Sequence, residues 1–227
     1  MRQSLLLGAL VGNALLCASA ALPAAAPTST ASGRAVDCSA AYGGSSATCH
    51  PAPCDEPYAE FPGTWRGQFM AYVRERSAPG TPVFRPYQNE VRYDGCLINS
   101  DNHEFLAVGH RHDTFPAYQG LPAKEESGLI IIGHRADGTA FLRAVNRPGH
   151  VDDFALTYRN TAAGLTIWTR QVPAAADQPA MTVTTIDGRD AASENPSQRA
   201  VVVTLTVGPE DHPVWSGVIA HGTHTRS

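Results

Sequence analysis

Lysine is nearly absent from this chain. Its 17 basic residues are almost all arginine, they form no cluster, and the formal charge is −4 at neutral pH. The basic stripe that nucleic acid requires is missing, so no nucleic-acid partner is expected. No segment sustains a helical apolar period over about ten residues, which argues against a helical bundle. Beyond Leu16 no apolar run approaches the roughly 20 residues needed to cross a bilayer as a helix. There is no Gly-x-Ser-x-Gly elbow and no glycine loop that would cradle a phosphate. The hydrolase and nucleotide-binding classes that depend on those motifs therefore have no support. No internal repeat is visible.

The start of the chain has the layout of a secretory signal peptide. Met1-Arg2-Gln3-Ser4 is a short basic start, 5–16 is an apolar run, and Ala18-Ser19-Ala20 is a small-residue cleavage site. We read 1–20 as a leader and the mature protein as exported, periplasmic or secreted, with no integral membrane segment after cleavage. Cys17 offers a lipidated N-terminus as an alternative, although the bulky Leu16 precedes it. With Cys17 gone, Cys38, Cys49, Cys54 and Cys96 remain. An even number in an exported protein reads as two disulfides, with the pairing open. If all four are bridged, one of the first three must join Cys96 and tie the leading segment to the body. The rival reading is a metal site built from Cys49, His50 and Cys54.

Residues 21–62 divide into an Ala/Pro/Ser/Thr linker and, from Cys38, an irregular Cys/Pro-rich flap. The body, 63–227, reads as strand after strand. Trp65, Gly67, Phe69, Ala71 and Val73 alternate with Arg66, Gln68, Met70, Tyr72 and Arg74, the period of two that marks a half-buried strand. Similar runs lie near 88–98, 104–112, 128–135, 139–146, 152–159, 164–172, 180–187, 199–207 and 213–221. Asp137-Gly138 is a strong hairpin signal, while Asp94-Gly95 and Asp187-Gly188 are weaker turn or bulge marks. Residues 113–127, with Pro116, Gly120 and Pro122, read as a long loop. The fold class is all-β: a single antiparallel up-and-down β-barrel of about ten strands, with a disulfide-linked N-terminal segment.

Gly63-Thr64-Trp65-Arg66-Gly67 opens the first barrel strand and resembles the calycin group, the lipocalins, fatty-acid-binding proteins and their relatives. Within that group a GTWRG opening before about ten strands looks most like the nitrobindin-type haem-binding barrels. The resemblance implies a barrel with an inner cavity, and for the nitrobindin type a haem held by a histidine late in the chain. His221 is the residue it points to. The chain departs from these patterns in three places. Phe69 stands where the nitrobindin opening has a third glycine, the lipocalin Thr-Asp-Tyr is absent, and the chain ends on a strand rather than a helix.

Several residues are candidates for a site. His110 and His112 are two apart on a strand, so both imidazoles share a face and could reach one divalent metal, with Glu125 or Glu126 adding a carboxylate. The plainer alternative is two polar residues on a wet face. His134, His221 and His224 form a looser set, and the last two read as a solvated tail. Arginines recur on the strands as Arg66, Arg92, Arg111, Arg135 and Arg143. A buried one could hold a ligand carboxylate through two parallel hydrogen bonds. Arg143 shares the parity of Phe141 and Val145 and would line a cavity if that face is inner, with Glu126 to neutralise it. Trp65, Phe69, Trp168 and Trp215 could line the cavity or simply be core. The expected function is a binding protein that holds a small, mostly apolar molecule in the barrel, with no cofactor and no catalysis. The alternatives are a metal- or haem-dependent barrel enzyme using His110 and His112 or His221, and a structural envelope domain without ligand.

Overall fold

The computed structural model describes residues 34–54, 58–59, 61–73, 77, 81–147, 149–160, 165–174, 179–189, 197–208 and 213–227. The proposed leader and most of the linker lie outside them. Two short strands, β1 (Val36–Asp37) and β2 (Thr48–Ala52), flank a 3-10 turn at Ser39–Tyr42. Ten longer strands follow: β3 (Gly63–Tyr72), β4 (Phe84–Asn99), β5 (Phe105–Phe115), β6 (Lys124–His134), β7 (Ala140–Arg147), β8 (His150–Asn160), β9 (Leu165–Val172), β10 (Met181–Arg189), β11 (Gln198–Val207) and β12 (Trp215–Arg226).

Each of these ten pairs antiparallel with the next, and β12 pairs back onto β3, so the sheet closes into an up-and-down barrel without a free edge. Alternating side chains point inward, as the period of two requires. Asp137-Gly138 makes the expected tight turn between β6 and β7: Gly138 takes φ 82° and the Asp137 carboxylate accepts the Thr139 N–H. Asp94-Gly95 is a bulge in β4, where the register against β5 shifts between Tyr93 and Cys96. Asp187-Gly188 is neither turn nor bulge but regular paired strand within β10.

The loop expected over 113–127 is shorter than that, because strands take up about half of the stretch. β5 runs to Phe115 and β6 starts at Lys124, which leaves only 116–123 between them. The prolines mark the connection and not its length. The Arg85 guanidinium donates to the carbonyls of Phe115, Pro116 and Pro122 and pins that connection.

The N-terminal segment does two jobs, each fixed by a disulfide. Cys38–Cys49 staples the β1–β2 unit, which pairs onto the end of β4. This unit covers the outer wall, where Ala41, Ala47 and Cys49 pack on Leu106, Ile131, Phe141 and Val145. Cys54–Cys96 ties the following stretch to β4, and Tyr58 and Phe61 join Trp65, Tyr93 and Phe105 in the apolar cluster at one end of the interior. Both pairings consume the cysteines that a Cys49/His50/Cys54 metal site would need. A second interior cluster, with Phe69, Tyr87, Phe115, Val203 and Leu205, fills the opposite end.

Candidate functional site

Between these two clusters the barrel interior carries a belt of polar and charged side chains. On β3, β4 and β5 the inward positions next to Trp65 and Phe69 are Gly67, Asn89 and Asp113, which are register partners. Gly67 is required here: a Cβ would collide with the Phe69 ring, the His224 imidazole and the Thr223 carbonyl. The second glycine of GTWRG therefore lets the Phe69 ring and the His224 imidazole lie against the inner face of β3.

A hydrogen-bonded chain crosses the belt. Asn89 Nδ2 donates to Asp113 Oδ1 at 2.6 Å, and His224 Nε2 lies 2.8 Å from Asn89 Oδ1. Because the Asn89 amide nitrogen serves Asp113, its oxygen is an acceptor, and His224 must carry its proton on Nε2. Nδ1 of His224 is then an acceptor. Arg111 lies 3.5 Å from Asp113 and donates to Asn146 Oδ1 at 3.2 Å. On the far side Arg199, the cross-strand neighbour of His224, lies 3.7 Å from Asp187. Burial raises the Asp113 pKa against the opposing effect of Arg111.

Arg170 completes the belt on β9, between Trp168 of the first cluster and Val172 beside the second. It is only 3% exposed. Its guanidinium carbon sits 4.6 Å from the Phe154 ring centroid. None of its three side-chain nitrogens has a hydrogen-bond partner among the described residues. Burial lowers its pKa to about 10, and Asp152 acts against that shift. The Tyr87 hydroxyl is a second buried donor without a partner among the described residues.

The structure distributes the sequence candidates over both faces of the wall. Trp65, Phe69 and Trp168 face inward and are buried. Trp215 is half-buried against Tyr72. Arg143 does not line the interior. It lies on the outer face of β7, beneath the N-terminal unit, 3.2 Å from Glu104 and 2.7 Å from Asp153. Glu126 does not neutralise it and pairs with Lys124 instead. The inward residues of β7 are Leu142 and Ala144, in register with the inward Ile132 and Ile130.

His110 and His112 do share a face, as expected, but it is the outer one. His110 approaches Asp94 at 3.6 Å, and His112 contacts Ser127 and Thr114. Among the described residues no three metal-ligating side chains come together. His134 is half-buried, stacked on Phe105, with Nδ1 3.3 Å from the Tyr58 hydroxyl. His221 is exposed on the outer face of β12 beside Phe84, away from the interior where the resemblance would place a haem.

His224 is not in a solvated tail. β12 stays paired through to Arg226, and a register shift between Val203 and Thr204 of β11 accompanies the inward turn of its last residues. The rings of Phe69 and Trp65 pack on its imidazole at 5.2 and 6.0 Å, where a haem plane would need space. These residues do not fit a haem.

Burial depresses the His224 pKa to about 4. At pH 7 the imidazole is neutral in folded and unfolded chains alike. As pH falls through 6.5 the unfolded chain takes a proton that the folded one refuses until about pH 4. Stability should therefore fall by on the order of 3 kcal/mol across that window. Asp113, with its raised pKa, works in the opposite direction, so the effect is read against a variant. Urea midpoints of wild type and His224→Gln should converge between pH 7 and pH 4.5, and parallel curves would show that His224 is not the buried neutral group described.

Two of the belt residues were within reach of the sequence. Arg170 is two residues from Trp168 and must share its face, and Asp113 stands in the same relation to Arg111. No known protein family, curated protein or solved structure matches the chain, so its likeness to calycins stands on the closed ten-stranded antiparallel barrel alone.

Proposed function

We propose that the chain is a binding protein that holds a small molecule with a largely apolar body inside the barrel. One observation carries this reading: the middle of the interior is built from buried charged and polar groups, although apolar clusters close both ends. Buried ion pairs give a core less stability than apolar residues of similar volume, so a barrel serving only as a filled structural unit gains nothing from such a belt. Binding sites are mostly apolar with a few placed polar groups, which is the composition found here. Two disulfides support an exported protein working in an oxidising compartment.

Native mass spectrometry on the full chain, purified from the exported fraction without added metal, tests the reading. The expected result is a small organic molecule retained on the chain with both disulfides formed. A bare chain that also takes up no apolar probe would favour a structural domain, and a bound metal or haem would favour the enzyme alternatives.

A further inference from the structure

We infer that the bound molecule is a compact monocarboxylate whose carboxylate sits on Arg170, in the belt between the two apolar clusters. This rests on the reading that the barrel holds a small molecule. Five arginines are buried among the described residues: Arg85, Arg111, Arg143, Arg170 and Arg199. Arg85 has loop carbonyls, Arg111 has Asp113 and Asn146, Arg143 has Glu104 and Asp153, and Arg199 has Asp187. Arg170 alone of the five has no acceptor for any of its three nitrogens.

Its surroundings show what is missing. Leu156 and Val183 are its cross-strand neighbours, and Phe154 covers the guanidinium. Asp152 acts on it only through space, is partly exposed, and lies 3.4 Å from His150. A guanidinium stacked on a ring keeps its N–H edge for acceptors in its own plane, which a carboxylate meets with two parallel bonds.

The charge balance of the belt sets the valence. Among the described buried residues of the belt, Arg111 lies against Asp113 and Arg199 against Asp187, which leaves Arg170 as the cation for one carboxylate. The packing sets the size. Side chains already fill the interior on both sides of the belt, and a long alkyl tail would have to displace Trp65 and Tyr93 or Phe69 and Phe115. The Tyr87 hydroxyl, without a partner among the described residues, is a further buried polar group in the interior.

The test is titration of the full-length protein with benzoate, octanoate and dodecanoate, each beside its alcohol, followed by Trp fluorescence and calorimetry. Wild type, Arg170→Met and Arg170→Gln are compared. Wild type should bind benzoate roughly 10–100-fold more tightly than benzyl alcohol, the range expected for charge-assisted hydrogen bonds. Both variants should lose that preference and keep the alcohol affinity. Ligand-free Arg170→Met should melt at or above wild type, because an unpaired buried charge has gone; a structural arginine would give a lower melting temperature.

Equal binding of acid and alcohol by wild type overturns the inference and leaves the barrel reading intact. Dodecanoate binding tenfold more tightly than benzoate overturns the compact ligand. Failure of all three acids overturns the inference whatever the melting temperatures show. If the alcohols fail as well and native mass finds a bare chain, the barrel reading falls with it.

Discussion

Arg143→Ala should destabilise the fold by roughly 3–5 kcal/mol, the range for removing one partner of a buried ion pair. The guanidinium lies between the outer wall of β7 and the N-terminal unit, 4.7 Å from the centroids of both Phe141 and Tyr42. Burial alone would lower its pKa, but hydrogen bonds to Asp153 and Glu104 raise it overall. Removing it leaves Glu104, itself buried, with the Tyr42 hydroxyl and the more distant Arg135 as its partners among the described residues. Asp153 is partly exposed and contributes less, because water screens it. Urea unfolding measures the loss. Arg143→Met combined with Glu104→Gln should recover much of it, since both charges then leave together. A single alanine variant within 1 kcal/mol of wild type would mean that the N-terminal unit does not depend on this pair.

The contrast with Arg170 separates the two roles. Both side chains are buried arginines on barrel strands, both lie over an aromatic ring, and a sequence reader sees the same residue type. Substituting Arg143 should destabilise the ligand-free fold while substituting Arg170 should not, because Arg143 has acceptors and Arg170 has none among the described residues.

The strands were legible because an up-and-down barrel makes each strand obey the same period of two and joins neighbours by short turns. Trp65 to Ala71 and the Asp137-Gly138 turn carried that pattern without ambiguity. The faces of β7 were not legible. Phe141, Leu142, Ala144 and Val145 are all buried, two outward under the N-terminal unit and two inward, so apolarity could not tell the sides apart. A covered outer wall removes the contrast on which parity assignments depend, so the sequence could not show that Arg143 lies on the outer face. His224 was hidden differently. Gly222-Thr223 reads as a strand ending, yet Gly222 is there because the Phe69 ring lies against it, and a Cβ would strike that ring. The disulfide pairing was open because the spacing of the cysteines does not reveal that Cys54 and Cys96 meet at one end of the barrel.

Trp65→Ala should cost a similar 3–5 kcal/mol, but through packing. The indole is 5% exposed, belongs to the cluster that closes one end, and donates from Nε1 to the Phe61 carbonyl at 3.1 Å. Alanine removes the apolar contact and leaves a buried carbonyl without its donor. Trp65→Phe keeps most of the contact and should lose less than half as much. Arg199 lies 5.8 Å from the indole centroid, and the His224 ring packs beside it, so the same side chain shields two members of the belt from water. The alanine variant should therefore show a second effect. With water admitted beside His224, its pKa should rise back toward 6.5, and the loss of stability between pH 6.5 and 4 should shrink. Urea midpoints at several pH values read both effects from one experiment. A Trp65→Ala protein that unfolds at the wild-type midpoint would sink the claim that this residue seals the interior. One that is destabilised yet keeps the full acid sensitivity would show that the belt is sealed by something other than Trp65.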